Sequence, residues 1–138
     1  CIADPGARLV AKAHEAGINV VPLTGPSSLL LALAASGMNG QRFTFHGYLP
    51  RESAERKQAL KKLEQEAKRT GGAQLFIETP YRNGAVLVDI IDSCDSATRI
   101  CIAVDIDQPT ASIVTRTVAG WKKNTPALDK RPCVFIIG

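Results

Sequence analysis

The sequence predicts an α/β fold with a mixed sheet and helices on both of its faces. Segments typical of strands alternate with helical segments over most of the 138 residues. Towards the C-terminal end, two predicted strands follow each other with no helix between them, which requires at least one antiparallel pair. Apolar residues make up 45% and charged residues 22%, a balance that supports a buried core and excludes disorder as the main state.

The elements before residue 42 are predicted from their caps and their apolar patterns. The first helix covers about 5–16, because Asp4 can cap the free N–H groups of its first turn. A short apolar strand follows over 18–23. The next helix covers 29–36 and is apolar on nearly every face, which predicts that it is buried. The polar, glycine-bearing segment 38–41 is the predicted boundary between two domains.

Five strands and two helices are predicted after that boundary. The strands lie over 42–48, 73–77, 99–106, 112–118 and 132–137, and the helices over 51–69 and 78–92. The first of these helices is mostly charged, and its charged face is expected to be solvated. Its thin apolar stripe consists of Ala54, Leu60, Leu63 and Ala67. These segments predict a five-stranded mixed sheet flanked by helices.

Charge and cysteine content exclude several classes of protein. The 17 basic and 13 acidic residues give a net charge of +4, which permits a polyanionic partner without requiring one. No apolar run reaches the roughly 18 residues of a membrane-spanning helix. The four cysteines form no CxxC pair, so we expect no metal site and a reducing, cytoplasmic compartment. Because the chain enters at Cys1, inside a predicted strand-to-helix junction, it is expected to be the interior of a longer protein.

A first candidate binding site is the turn that runs from Thr24 into the helix at 29–36. Gly25 and Pro26 shape a tight turn, and free N–H groups at a helix start can bind a carboxylate or a phosphate together with the hydroxyls of Ser27 and Ser28. The alternative is that these serines only cap the helix.

A second candidate lies where the strand 73–77 ends. Ligands of open α/β sheets bind beyond the carboxyl ends of strands, and Glu78 could accept hydrogen bonds there from an amine or a ribose. The alternative is a carboxylate that merely favours a helix N-terminus. Arg82 could pair with Glu78 or face a phosphate.

Two further groups of residues have a chemical and a structural interpretation. His46 beside Tyr48 could be an acid/base pair, although a partly buried structural histidine is the alternative. With the basic helix that follows, this segment could also hold RNA. Asp105 and Asp107 have no histidine nearby, so a solvated loop is favoured over a metal site.

Four motifs in order give a resemblance to a known family. They are DPGxxLV, VVPLTGPSS, FHGYLP and LFIETPYR, and they cover essentially the whole chain. Together they resemble the tetrapyrrole methylase superfamily, S-adenosylmethionine methyltransferases built from two α/β domains. The sequence is most similar to the branch of the bacterial 16S rRNA cytidine 2′-O-ribose methyltransferases and their short paralogues. It departs from that branch in the stretch VDIDQPTAS, where Val104 and Asp107 replace a basic and a threonine position.

The resemblance implies a two-domain organisation and a cofactor between the domains. Residues 1–39 would be the C-terminal end of the cofactor-binding domain, and 40–138 the second α/β domain. S-adenosylmethionine would be the cofactor, RNA the substrate, and a homodimer the assembly. The matched cofactor positions are Gly25, Pro26, Ser27, Ser28, Glu78, Thr79 and Ile106. The residues expected to contact the substrate are Arg51, Arg56 and Arg82. The catalytic candidates are His46 and Tyr48, because they lie at a predicted strand end beside the basic helix.

Two other functions stay open at this stage. One is methylation of a small tetrapyrrole, whose pocket should present several arginines and an open apolar floor that the ETPYR segment does not supply. The other is a non-catalytic RNA-docking or dimerisation module. The apolar helix 29–36 also predicts self-association of this chain, since one domain alone would leave it exposed.

Overall fold

The computed structural model describes residues 6–128 and 130–138, and the predicted helix start at Asp4 and the junction at Cys1 lie outside these residues. The helices are α1 (Ala7–Glu15), α2 (Ser28–Ser36), α3 (Ser53–Thr70), α4 (Asn83–Ser93) and α5 (Val118–Lys123), with one 3-10 turn at Pro80–Arg82. The strands are β1 (Phe43–Tyr48), β2 (Ala73–Ile77), β3 (Arg99–Val104), β4 (Ser112–Thr117) and β5 (Cys133–Ile137).

The five strands form one mixed sheet in the order β1-β2-β5-β3-β4. β1 and β2 are parallel and are connected through α3, whereas β5 lies antiparallel to both β2 and β3. β3 and β4 form the antiparallel pair expected from two successive strands. The predicted α/β class with a five-stranded mixed sheet is therefore confirmed.

Alternating side chains of the central strand β5 divide the core into two layers. Phe135 and Ile137 pack with α3, α4 and α5, and the Phe135 ring stacks on Phe76 at 5.3 Å between ring centroids. We call this side of the sheet the three-helix face. Val134 and Ile136 pack with α2 on the opposite side, which we call the α2 face. Both faces carry helices because the three inner strands, β2, β3 and β5, are buried on both sides.

α3 buries charged side chains that the sequence predicted to be solvated. Arg56 is 4% exposed, and its Nε donates to Asp89 Oδ2 of α4 at 2.6 Å. Glu64 is 8% exposed and accepts hydrogen bonds from the backbone N of Asp95 and the hydroxyl of Thr98. The prediction fails at these positions because each charge finds buried partners on a neighbouring element, which the helical pattern alone cannot show. Ala54 of the predicted stripe is exposed.

The segment 18–23 is the clearest error among the predicted elements. It is not a strand, and Leu23 is 92% exposed. A strand needs a hydrogen-bonded neighbour, and none of the described strands pairs with this segment. α2, in contrast, forms as predicted but buries only one side: Leu33 is 5% exposed and Leu30 is 54% exposed. None of the described helices combines the length and hydrophobicity needed to cross a bilayer.

Candidate functional site

A cleft of about 230 Å³ opens on the α2 face, where β2 ends and β5 begins. Its floor is one cross-strand row, because Ile77 of β2 lies opposite Val134 of β5, and Val134 lies opposite Ala103 of β3. Ser28, Glu78 and Ile106 also line the cleft. The fold thus brings together three predicted cofactor positions that are far apart in sequence.

Glu78 is the most unusual side chain of this cleft. The side chain is 1% exposed, and its Oε1 accepts hydrogen bonds from the backbone N of Thr79 at 2.6 Å and from Arg82 Nη2 at 2.5 Å. Its Oε2 is buried and has no hydrogen-bond partner among the described residues. A buried carboxylate oxygen without a partner is costly, so this atom can accept a hydrogen bond from a ligand in the cleft.

The turn before α2 contributes less than expected. Ser28 lines the cleft, whereas Gly25, Pro26 and Ser27 lie in the irregular segment that precedes the helix. Ser27 is the N-cap residue with extended backbone, and its side chain makes no capping hydrogen bond. Side-chain capping, the structural alternative for these serines, is therefore not observed at Ser27. Thr79 supports Glu78 through its backbone N, as described above.

His46 and Tyr48 do not lie on the same side of the sheet. Gly47 has a φ of 66° at an irregularity of β1, which brings Tyr48 opposite Ile77 on the side of the cleft floor. His46 Nε2 lies 2.7 Å from Gln74 Oε1, and Gln74 donates its own amide to the carbonyl of Gly72. That bond fixes the Gln74 oxygen towards His46, so His46 Nε2 is the donor. The geometry favours the structural interpretation of His46.

The three arginines expected to contact the substrate have different environments. Arg51 is exposed just after β1. Arg82 pairs with Glu78, which is one of the two alternatives that the sequence left open for it. Arg56 Nη2 lies 2.5 Å from Asp89 Oδ2, and Nη1 donates to the carbonyl of Arg51 at 2.6 Å. Because its guanidinium is buried and fully engaged, the structure gives Arg56 a structural role in place of the predicted substrate contact.

The residues at the start of β5 were not recognised as part of the site from the sequence. Pro132 and Cys133 line the cleft opposite Glu78, and burial raises the pKa of the Cys133 thiol to about 12. Their position in the cleft follows from the antiparallel pairing of β2 with β5, which no local sequence pattern predicts. Asp105 and Asp107 form part of no group of three or more potential metal ligands within the described ranges.

Comparison with known proteins agrees with the fold and with the four motifs. No family model matches the chain. "Ribosomal RNA small subunit methyltransferase I" of Pseudomonas aeruginosa is 30% identical over 99% of this chain and 48% of its own length. The protein of that name from Escherichia coli O157:H7 is 33% identical over 99% of this chain and 47% of its own length. The one from Vibrio cholerae is 35% identical over 76% of this chain and 35% of its own length. The chain is therefore similar to part of these methyltransferases, which are of the tetrapyrrole methylase family. The resemblance is thereby confirmed.

A solved structure supports the same fold for this chain. The crystal structure of the methyltransferase CobJ superposes with a TM-score of 0.56 at 22% identity, over 96% of this chain and 56% of that one. The chain spans less than half the length of the curated relatives named above, and about half the length of CobJ.

Proposed function

We propose that this chain is part of an S-adenosylmethionine-dependent methyltransferase and that the cleft at Glu78 holds part of the cofactor. The buried, unpaired Oε2 of Glu78 is the observation that carries the proposal. The cofactor offers what this atom lacks, since its ribose hydroxyls and amino groups are hydrogen-bond donors, and the apolar floor suits an aromatic base. The cleft of about 230 Å³ is smaller than the roughly 300–1,000 Å³ of complete small-molecule sites, which fits a ligand shared with a second domain.

In this proposal, the residues of this chain position the cofactor and shield it from water, and they do not react themselves. When bound, S-adenosylmethionine would supply the methyl group and a good leaving group at its sulfonium. Transfer then depends mainly on alignment and on exclusion of water. Glu78 would accept a hydrogen bond from the cofactor, and the floor at Ile77 and Val134 would exclude water beneath it. Tyr48 stays a candidate catalytic residue near the methyl acceptor, because it lies beside Ile77 and is 54% exposed.

We propose a ribose oxygen of RNA as the methyl acceptor. The relatives are named as ribosomal RNA methyltransferases, and Arg51 is exposed beside the end of β1 with no carboxylate partner in the described part of the chain. A small tetrapyrrole is the alternative acceptor, and an RNA-docking module without catalysis is the alternative outside enzymes.

The decisive experiment is calorimetric titration of S-adenosylhomocysteine. It is performed on this chain and on the chain extended at its N-terminus by the upstream domain of a curated relative. We expect binding to the extended form, and Glu78→Gln should weaken it about tenfold because a ligand donor would meet an amide. Glu55→Gln, at an exposed position of α3, is the matched control and should leave the affinity unchanged. Absence of binding to both forms would contradict the methyltransferase proposal.

A salt series tests the RNA acceptor. Phosphate contacts make affinity fall steeply with salt, and Arg51→Ala should reduce that dependence by about one released counterion. Lys123→Ala, at the exposed end of α5, serves as the control for a general change of charge. RNA retention that does not depend on salt would contradict the assignment of Arg51.

We also propose that the chain self-associates and that it works in a reducing, cytoplasmic compartment. Leu9, Val21 and Leu23 are 74%, 67% and 92% exposed, more apolar surface than one short segment normally leaves in water. Light scattering over a concentration series should show a dimer or larger species, and a monomer at all concentrations would contradict this. Cys94, Cys101 and Cys133 are free, which suits a reducing compartment.

A further inference from the structure

Two loops at the mouth of the cleft have backbone conformations that side chains rarely adopt. Ile106, which lines the cleft, lies between Asp105 at a φ of 49° and Asp107 at a φ of 66°. Lys130, in the loop before β5, has a φ of 61°. Such conformations cost free energy and persist where the surroundings enforce them, and they concentrate at functional sites. The question is which contacts hold these loops.

Arg131 holds the loop that carries Ile106. Its Nε donates to Asp105 Oδ2 at 2.8 Å, and its Nη2 lies 2.7 Å from the same oxygen. Nη2 also donates to the carbonyl of Thr110 at 2.9 Å, while the Thr110 hydroxyl donates to Asp105 Oδ2 at 2.8 Å. The guanidinium therefore spans both ends of the turn 105–110, which a lysine ammonium could not do with the same rigidity.

The backbone around Arg131 is attached to a third loop. Its carbonyl accepts a hydrogen bond from Asn83 Nδ2 at 2.6 Å, and the backbone N of Lys130 donates to the carbonyl of Pro80 at 3.1 Å. Pro80 and Pro132 both line the cleft. Arg131 thus lies where the loops after β2, after β3 and before β5 meet, and each of them contributes to the cleft wall.

We propose that Arg131 and Asp105 form a positioning pair that fixes Ile106 in the wall of the cleft and so sets the affinity for the cofactor. The inference rests on the proposed function. Asp105 has two properties that this position requires. Its carboxylate accepts hydrogen bonds from both Thr110 and Arg131, and aspartate tolerates the left-handed conformation better than most residues. Asp107 shares that conformation, but its side chain makes no hydrogen bond or ion pair within the described part of the chain. A substitution at Asp107 therefore tests the backbone conformation without the contacts.

The test compares three variants of the extended protein by titration with S-adenosylhomocysteine. Asp105→Ala should weaken binding about tenfold, because both Thr110 and Arg131 lose their acceptor. Asp105→Asn keeps an acceptor oxygen and the left-handed backbone, and should remain within threefold of the parent. Asp107→Ala places alanine in the same left-handed conformation without removing a side-chain hydrogen bond or ion pair, and should also remain within threefold.

Hydrogen exchange on this chain supplies a readout that needs no ligand. The amides of Gln108 and Ala111 are hydrogen-bonded within the turn, and Asp105→Ala should accelerate their exchange, whereas Asp107→Ala should not. Faster exchange or a lower melting temperature with unchanged affinity would overturn the positioning role, and so would equal effects of the two alanine variants on the affinity. If the parent protein binds no S-adenosylhomocysteine, the proposed function fails. Unchanged hydrogen exchange in Asp105→Ala would refute the positioning pair independently of ligand binding.

Discussion

The three-helix face and the α2 face of the sheet differ in how completely they are covered. α3, α4 and α5 bury the first, including Phe76, Leu87 and Phe135 at 0% exposure. The nine residues of α2 cover part of the second, and the cleft occupies the end of that face which α2 leaves open. One face of the sheet is closed by helices, whereas the other combines a smaller core with a binding surface.

The difference indicates a division of work between the faces. Closed packing supplies most of the hydrophobic stabilisation, because burial of apolar area is the dominant favourable contribution to folding. A binding cleft, in contrast to closed packing, needs an open apolar floor and unpaired polar atoms that a ligand covers. Substitutions on the three-helix face should therefore reduce stability, and substitutions around the cleft should mainly alter ligand binding.

The largest effect is expected for Phe135→Ala on the closed face. Removal of a fully buried ring that stacks on Phe76 should lower the free energy of unfolding by about 3–5 kcal/mol, because the surrounding helices cannot collapse into the cavity. Phe43→Ala is the control of the same residue type, and at 43% exposure it should cost about 1 kcal/mol or less. Urea unfolding measures both values. Similar losses for the two variants would remove the distinction between core and edge.

A comparable loss is expected when the ion pair between α3 and α4 is broken. Asp89→Ala leaves the Arg56 guanidinium buried without its carboxylate, which typically costs about 3–5 kcal/mol. The double variant Arg56→Met with Asp89→Leu replaces both charges by apolar groups and should recover most of the loss. Urea unfolding of the three proteins gives the comparison. If the double variant is as unstable as the single one, hydrophobic packing cannot substitute for the pair.

Most of the sheet could be predicted from the sequence, and the reason is local. β2, β3 and β5 are short apolar runs bounded by turn residues, and Gly37 and Gly71 end α2 and α3 in the left-handed conformation that glycine favours. The segment 18–23 has the same local pattern as these strands but lacks a neighbour. α5 was missed because six residues after a strand carry no clear period.

The site could be predicted only in part, because its members meet through long-range pairing. The position of Glu78 at a strand end and the resemblance to the family both pointed to the cleft. Cys133 was missed, since its place in the cleft with Glu78 follows from the antiparallel pairing of β2 and β5. Arg131 was missed because its partner Asp105 lies 26 residues away in sequence. Arg56 was misjudged for a related reason: Asp89, its partner, lies on another helix.

A smaller effect is expected on the α2 face. Leu33→Ala should lower the free energy of unfolding by about 2–3 kcal/mol, at the low end for a buried leucine, because a helix with open space beside it can move into the cavity. Leu30→Ala, three residues away and 54% exposed, should change it by at most about 0.5 kcal/mol. Thermal and urea unfolding check both. A larger loss for Leu33→Ala than for Phe135→Ala would reverse the ranking of the two faces.

The smallest effect concerns Cys133, where the three-helix face reaches the cleft. Burial raises the pKa of its thiol from the ordinary 9.0 to about 12, so the folded chain keeps the proton while the unfolded chain releases it. Stability from this group is therefore complete below about pH 9 and is lost as the pH rises towards 12.

Comparison of unfolding at pH 8 and pH 10 isolates the effect. Lysine and tyrosine titrate in the same range, but they do so equally in the parent and in Cys133→Ala, so the difference between the two proteins belongs to the thiol. We expect the variant to lose less stability over this interval than the parent. An identical loss in both would mean that water reaches Cys133 through the cleft, and the closed face would then end before the first residue of β5.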